Sequence, residues 1–480
     1  MSASPANPGP LSHPRHLIYS IMNLNRDLWE GLDLQKISII GGGLSGCEAA
    51  WQLAERGLPV RLVEMRPLAT TPAHKTARLA EVVCSNSFGG VIEPGPDEHI
   101  TAAGILKEEL EMGGSLILAC ARETRVPAGG ALAVDRERFS ALVTERITNH
   151  PNIELVREEV TSIPEGPAII ATGPLTASSL ADALRARLGK DYVAFFDAVA
   201  PIVTKDSIDM ERAFAAGRYG RGGSNYINCP MNKEEYKAFY DALIHAERAL
   251  PHDFEHGMYF EGCMPIEALA DRGVDTMRFG PLRPVGLPDP HSGVPDDPTT
   301  WREPWAVVQL RQDNAEGTLY NLVGFQTGLR WGEQKRVFSL IPGLENAEFV
   351  RFGVMHRNTS VNAPAVLDPW LRLTSIGRQD LFLAGQITGV EGYMESTAMG
   401  LVAGVNAACL FQGRPLPAWP EVSAIGSLLH YLQAADPAHF QPMNMNLGIF
   451  PPLEHRIKDK RQRAAAYRER AAAAMKEFWG

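Results

Sequence analysis

The chain has 480 residues, of which 45% are hydrophobic and 21% charged, and its net charge is −10. That length supports two or three domains with sizeable cores, and the charge excludes a uniformly basic surface while allowing a local basic patch. No run of about 18 apolar residues occurs, so no membrane span is expected.

The six cysteines are Cys47, Cys84, Cys120, Cys229, Cys263 and Cys409, and none forms a C-x-x-C pair. A zinc ribbon and a thioredoxin-type redox pair are therefore excluded, no metal site is expected, and a reducing, cytoplasmic setting suits the chain. Residues 1–33 begin rich in Pro, Ser and Asn and lack a signal peptide's apolar core and cleavage site, so they read as a disordered leader.

The first strong element runs from Lys36 to Arg66. A short apolar run ends on Gly41-Gly42-Gly43-Leu44-Ser45-Gly46, an alanine-rich segment follows to Arg56, and Val60–Val63 leads into Glu64. This is strand, glycine loop, helix and strand, with the G-x-G-x-x-G pattern of a dinucleotide site. Gly41 serves the tight turn, Gly43 the close approach of a pyrophosphate, and Gly46 the packing of helix on strand. Glu64 stands where a ribose hydroxyl would lie, and Gly57 stops the helix.

Further along, Ala77–Val83 has helix-like composition and ends in Cys84-Ser85-Asn86-Ser87. Phe88–Glu98 is rich in Gly and Pro, hence a loop, and Ile100–Met112 returns to helical spacing. Val126–Arg136 predicts a turn, a strand and then a helix capped by Asp135. Ala168–Ala171 is a buried strand ending on Thr172-Gly173.

Leu381–Ala384 is a third such strand. It ends on Gly385-Gln386 and runs through Gly389–Tyr393 into a helix carrying Ala398, Gly400, Gly404 and Ala407. This late strand favours FAD over NAD, because a simple nicotinamide dehydrogenase has no need of it.

The expected fold is therefore α/β. An FAD-binding Rossmann-like domain of the glutathione-reductase type, at 34–178 and 350–412, is interrupted by an α/β insertion domain at 179–349. A C-terminal segment, 413–480, ends in a basic tail: residues 455–477 hold eight Lys or Arg against three Asp or Glu. Such a helix suits either a phosphate backbone or a solvated amphipathic face.

Among the cysteines, Cys84 and Cys229 have the most polar surroundings. Cys84 precedes Ser85-Asn86-Ser87, and Cys229 sits in Asn228-Cys229-Pro230-Met231. A thiolate in such a setting is a nucleophile.

Several long strings carry a resemblance. They are Thr71–His74, Glu81–Ser87, Val126–Arg136, Asn228–Met231, Phe260–Glu267, Val307–Asp313, Gly353–Thr359 and Phe440–Asn444. Through them the sequence resembles, over about Lys36 to Lys476, the folate- and FAD-dependent methylenetetrahydrofolate–tRNA-(uracil-5-)-methyltransferases, the TrmFO family. The resemblance departs after Ser87, where Phe88-Gly89-Gly90 stands in place of the family's Leu-Arg-Ser.

The resemblance implies FAD as cofactor, with 5,10-methylenetetrahydrofolate and NAD(P)H as co-substrates. The target it implies is a T-loop uridine of tRNA, converted to 5-methyluridine. No obligate protein partner is implied. The two catalytic cysteines of the family fall on Cys84 and Cys229, with Cys84 the expected nucleophile and Cys229 the general acid/base or flavin-site partner. The cofactor residues are Gly41, Gly42, Gly43, Leu44, Ser45, Gly46, Glu64, Gly385 and Gln386. Two other readings are the same chemistry on a ribosomal RNA uridine and a GidA/MnmG-like uridine-modifying flavoprotein.

Overall fold

The computed structural model describes residues 36–480 except 72, 91–99, 199, 221–222, 250–263, 295, 315, 354 and 456. The expected leader, Cys263 and half of the Phe260–Glu267 string lie outside the described residues.

The chain opens with β1 (Ile37–Ile40), α1 (Leu44–Glu55) and β2 (Val60–Glu64). Helix α2 (Ala102–Met112) follows, capped by the Thr101 side chain, and then β3 (Ile153–Arg157) and β4 (Ala168–Ile170). A second sheet contains β5 (Tyr226–Met231) and β6 (Ala306–Gln312), and helix α3 (Trp331–Phe338) packs on it. The chain then returns through β7 (Leu381–Leu383), α4 (Tyr393–Phe411) and, at its end, α5 (Lys460–Trp479).

The first sheet is wholly parallel, in the order β7-β4-β1-β2-β3. Its central strands are apolar on both faces, as a sheet covered on both sides requires. Helices α1 and α4 cross so closely that side chains would not fit between them. A Cβ on Gly400 would lie 2.4 Å from the Ser45 carbonyl oxygen, and one on Gly404 2.9 Å from that of Ala49. Small residues let the two backbones meet. By length and composition α4 could cross a membrane, yet 89% of its apolar window is packed inside the protein. It is the core helix of the nucleotide domain.

The second sheet is antiparallel, with β5 and β6 as neighbours in the order Phe214–Ala215, β5, β6, Leu319–Leu322, Ile202–Thr204, Phe349–Arg351. It has its own core, built on Met231, Phe239, Phe325 and Phe338. Tyr192–Ala198 and Met355–Val361 pair antiparallel just before and just after it in the chain. The fold is thus an FAD-binding Rossmann-type domain with an insertion. The helix Ser178–Leu188 packs Leu180 and Leu184 into the core of the parallel sheet.

Two local expectations fail. Ala77–Val83 forms no helix, because long-range partners take its backbone donors. The Leu79 amide donates to Thr144 Oγ1 and the Ala80 amide to the Gly42 carbonyl. Phe88 is not in a loop either: Ser87–Gly90 is a strand paired with Ala131–Val134. The expected cap at Asp135 does form, its side chain accepting from the Arg138 amide.

The basic tail is the amphipathic helix α5. Ala464, Tyr467, Ala471 and Met475 are buried, and Arg468 pairs with Glu108 of the segment α2 at 2.6 Å. Arg470 donates to the carbonyls of Pro451 and Pro452. Two of the tail's eight cations, Arg468 and Arg470, are thereby committed to packing, while Lys458, Lys460, Arg461 and Lys476 are exposed.

Candidate active site

The glycine loop has the geometry its sequence calls for. Gly41 has φ +104°, and a Cβ there would lie 2.7 Å from the Ala171 oxygen. A Cβ on Gly46 would lie 1.8 Å from the Gly41 oxygen, so only glycine lets α1 sit on the strand. Gly43 differs: a Cβ there would meet nothing within 4 Å, and this residue caps α1 without any side-chain hydrogen bond. The first turn of α1 therefore opens, unblocked, on a cavity.

Beside it, the buried Ser45 hydroxyl has no hydrogen-bond partner. It faces Gly385, where a Cβ would sit 2.7 Å from Ser45 Cβ. Free amides, a helix dipole and an orphaned hydroxyl, backed by glycine, fit a pyrophosphate.

Glu64 ends β2 as expected. Its Oε2 accepts from the Gly42 amide at 2.8 Å, and its Oε1 from Arg66 N and Nε at 3.0 and 2.8 Å. Burial pushes this carboxyl up, but the hydrogen bonds and charge of Arg66 more than offset it and hold the group below the usual carboxylate range. Glu64 lines a cleft with Gly41, Arg66 and His74. A larger one, about 1550 Å³ and open to solvent, adjoins it, and both are lined by Gly43, His74, Ala171, Thr172 and Leu175. Together they form a trench that would take a flavin adenine dinucleotide, with its adenosine towards Glu64 and its flavin beyond Ser45. Leu44 and Gln386 line the larger end, where Gln386 Nε2 donates to Glu391 at 2.7 Å.

Cys84 lines the same larger cavity. Its Sγ is 2.9 Å from Tyr393 Oη, and that oxygen also accepts from the amides of Cys84 and Ser85 at 3.0 and 3.2 Å. Burial, and then the charge of Cys84, push the Tyr393 phenol well up, so it stays protonated and can donate to a thiolate. The cysteine loop is clamped from the second sheet. Arg311 of β6 donates to Ser85 Oγ at 2.7 Å and to Asn86 Oδ1 at 3.1 Å, and Asn86 Nδ2 donates to the Gln312 carbonyl at 2.9 Å. Arg136 is bound by Asp313 and donates to the Val82 carbonyl at 2.7 Å. The charges of Arg136 and Arg351 both act on Cys84. Nearby guanidinium groups favour a thiolate.

Cys229 is elsewhere. It lies on β5 opposite Val308, fully buried in the second core, where a Cβ on Gly343 would be 3.4 Å from its sulfur. Burial, then Glu345, pushes its thiol up. The structure brings Cys84 to the flavin trench; Cys229 is not among the residues lining it. Cys47, Cys120 and Cys409 are buried as small apolar side chains.

Sequence reasoning did not single out Tyr393, Arg136, Arg311 or Asp313. Arg136 and Asp313 are 177 residues apart in the chain. The one available signal was their place inside strings that carry the resemblance, Val126–Arg136 and Val307–Asp313.

A family model described as "Glucose inhibited division protein A" matches residues 36–415. The methylenetetrahydrofolate–tRNA-(uracil-5-)-methyltransferase TrmFO of Anoxybacillus flavithermus is 55% identical over 443 residues, covering 92% of this chain and 99% of that one. The chain belongs to the TrmFO family. The TrmFO of Moorella thermoacetica is 58% identical over 447 residues, covering 92% and 97% of the two chains. Among solved structures, Aquifex aeolicus GidA in its form I crystal superposes with a TM-score of 0.64 at 18% identity, covering 92% of this chain and 76% of that one. That likeness shows the shared fold.

Proposed function

We propose that this TrmFO-family chain moves a one-carbon unit from 5,10-methylenetetrahydrofolate to carbon 5 of a uridine in the T-loop of tRNA. NAD(P)H supplies the reducing equivalents, the product is 5-methyluridine, and the reaction is cytoplasmic. One observation carries the reading beyond the relatives' names: Cys84 opens on the same trench as Gly43 and Ser45.

Carbon 5 of uracil is too weak a nucleophile alone. Addition of the Cys84 thiolate at carbon 6 makes an enolate whose carbon 5 attacks an electrophilic one-carbon unit; a base then removes the carbon 5 proton as the unit's nitrogen carrier leaves, a hydride reduces the methylene to methyl, and the Cys84 thiolate is expelled. FAD, when bound, supplies one-carbon relay and hydride chemistry. Gly43 and Ser45 would hold its pyrophosphate and Glu64 its ribose. Tyr393 donates a hydrogen bond to the thiolate, and Arg136 and Arg351 hold the negative charge. The target base must leave its stack to reach Cys84, which a loop makes cheaper. The general acid/base role for Cys229 rests on the resemblance alone and requires β5 to expose its sulfur.

The test is a flavin absorption spectrum followed by transfer of labelled methylene from the folate into unmodified tRNA and, separately, ribosomal RNA transcripts. Label in the tRNA T-loop is expected. Label only in ribosomal RNA, only at a wobble uridine, or only from S-adenosylmethionine would overturn the reading.

A further inference from the structure

The second sheet carries an aromatic stack that leads out of its core to the surface. Phe338 and Phe325 meet edge to face inside it, and Phe338 touches Phe349. From there three rings lie nearly parallel: Phe349 on Phe352 at 5.3 Å and 15°, and Phe352 on Trp331 at 5.7 Å and 14°. The outermost ring, Trp331, is 61% exposed.

The stack is rigidly built. Gln334 of α3 is fully buried; its Nε2 donates to the carbonyls of Leu329 and Gly353, and its Oε1 accepts from the Gly353 amide at 2.8 Å. These bonds fix the start of α3 against the residue next to Phe352. They hold the Trp331 face in place before any ligand arrives.

Arg351, adjacent in the chain to Phe352, acts by its charge on Cys84, Tyr393, His74 and Lys75. Exposed Lys335 lies one turn along α3 from Trp331. Arg330 and Arg336 are paired with Glu247 and Glu333. A flat, pre-positioned aromatic face with an exposed cation beside it is the arrangement that holds an unpaired nucleobase and its backbone.

We propose that Trp331 is the stacking platform for an unpaired base of the substrate tRNA, with exposed Lys335 on the neighbouring phosphate. The proposal rests on the tRNA reading above. It adds that the insertion domain itself grips the RNA, by stacking more than by charge.

The test uses FAD-loaded, full-length protein and an unmodified tRNA transcript. Trp331→Ala is expected to bind the transcript roughly tenfold or more weaker, and Trp331→Phe within about threefold of the parent. KM for tRNA should rise in Trp331→Ala while kcat and the flavin spectrum stay unchanged. The deficit should persist at high salt, whereas that of Lys335→Gln should vanish, because stacking is screened far less than phosphate contact. Unchanged affinity in Trp331→Ala, with the parent active, sinks the platform and leaves the function standing. A parent enzyme that neither binds nor methylates tRNA sinks both. A Trp331→Ala variant that only turns a dimer into a monomer in sedimentation assigns the face to a second copy instead.

Discussion

Cys84 Sγ and Tyr393 Oη stand 2.9 Å apart across 309 residues of chain. The contact joins the end of an irregular loop to the first residue of the core helix α4. It places a nucleophile in the larger of the two cavities and gives it a protonated partner.

Tyr393→Phe removes the acceptor of two backbone amides and a hydroxyl at the sulfur. Losing such a partner costs about 1–3 kcal/mol. Methyl transfer is expected to fall roughly ten- to a hundredfold, and the pH at which iodoacetamide alkylates Cys84 should move upward. An unchanged alkylation profile would show that the phenol does not support the thiolate.

The glycines separate folding from cofactor binding. Gly43→Ala adds a methyl group to open space, so the flavin-free protein should unfold within about 0.5 kcal/mol of the parent. Its flavin should be lost on gel filtration, because that space is where the pyrophosphate fits. Gly46→Ala drives a methyl group into the Gly41 carbonyl and should cost about 1–3 kcal/mol or more even without flavin. Urea titrations of the flavin-free variants check both.

The cysteines should differ in reactivity as they differ in burial. Under native conditions iodoacetamide should label Cys84 before Cys47, Cys120, Cys229 and Cys409, and Cys229 only on unfolding. Peptide mass spectrometry reads the order. Labelling of Cys229 as fast as Cys84 would mean that β5 opens in solution, which its acid/base role needs.

His74 sets a pH dependence of stability. Burial first, and then the Arg66 charge, bring its pKa from 6.5 down to about 4. The unfolded chain therefore binds a proton near pH 6.5 that the folded chain refuses until about pH 4. Stability from this group is complete above pH 6.5 and is lost as pH falls towards 4. His74→Gln cannot titrate, so its urea midpoint should fall less than the parent's between pH 6.5 and 4. Parallel curves would place the acid sensitivity elsewhere.

What the sequence determined by itself was local. Gly41, Gly43, Gly46 and Glu64 were legible because a dinucleotide turn imposes steric demands that few residues meet, at fixed spacing within one β-α-β unit. Cys84 stood out through its polar neighbours, and the family through long strings. Only the tertiary structure decided the rest. Residues 77–83 abandon helix because Thr144 and Gly42 supply better partners for their amides. Tyr393, Arg136 and Arg311 become site residues because α4, returning after the insertion, β6, within the insertion's sheet, and the helix that starts at Arg136 all meet the cysteine loop. Cys84 and Cys229 look alike in sequence, yet one faces the trench and the other a core. Which way a side chain on a strand or loop points is set by what packs against it, and that is a property of the assembled fold.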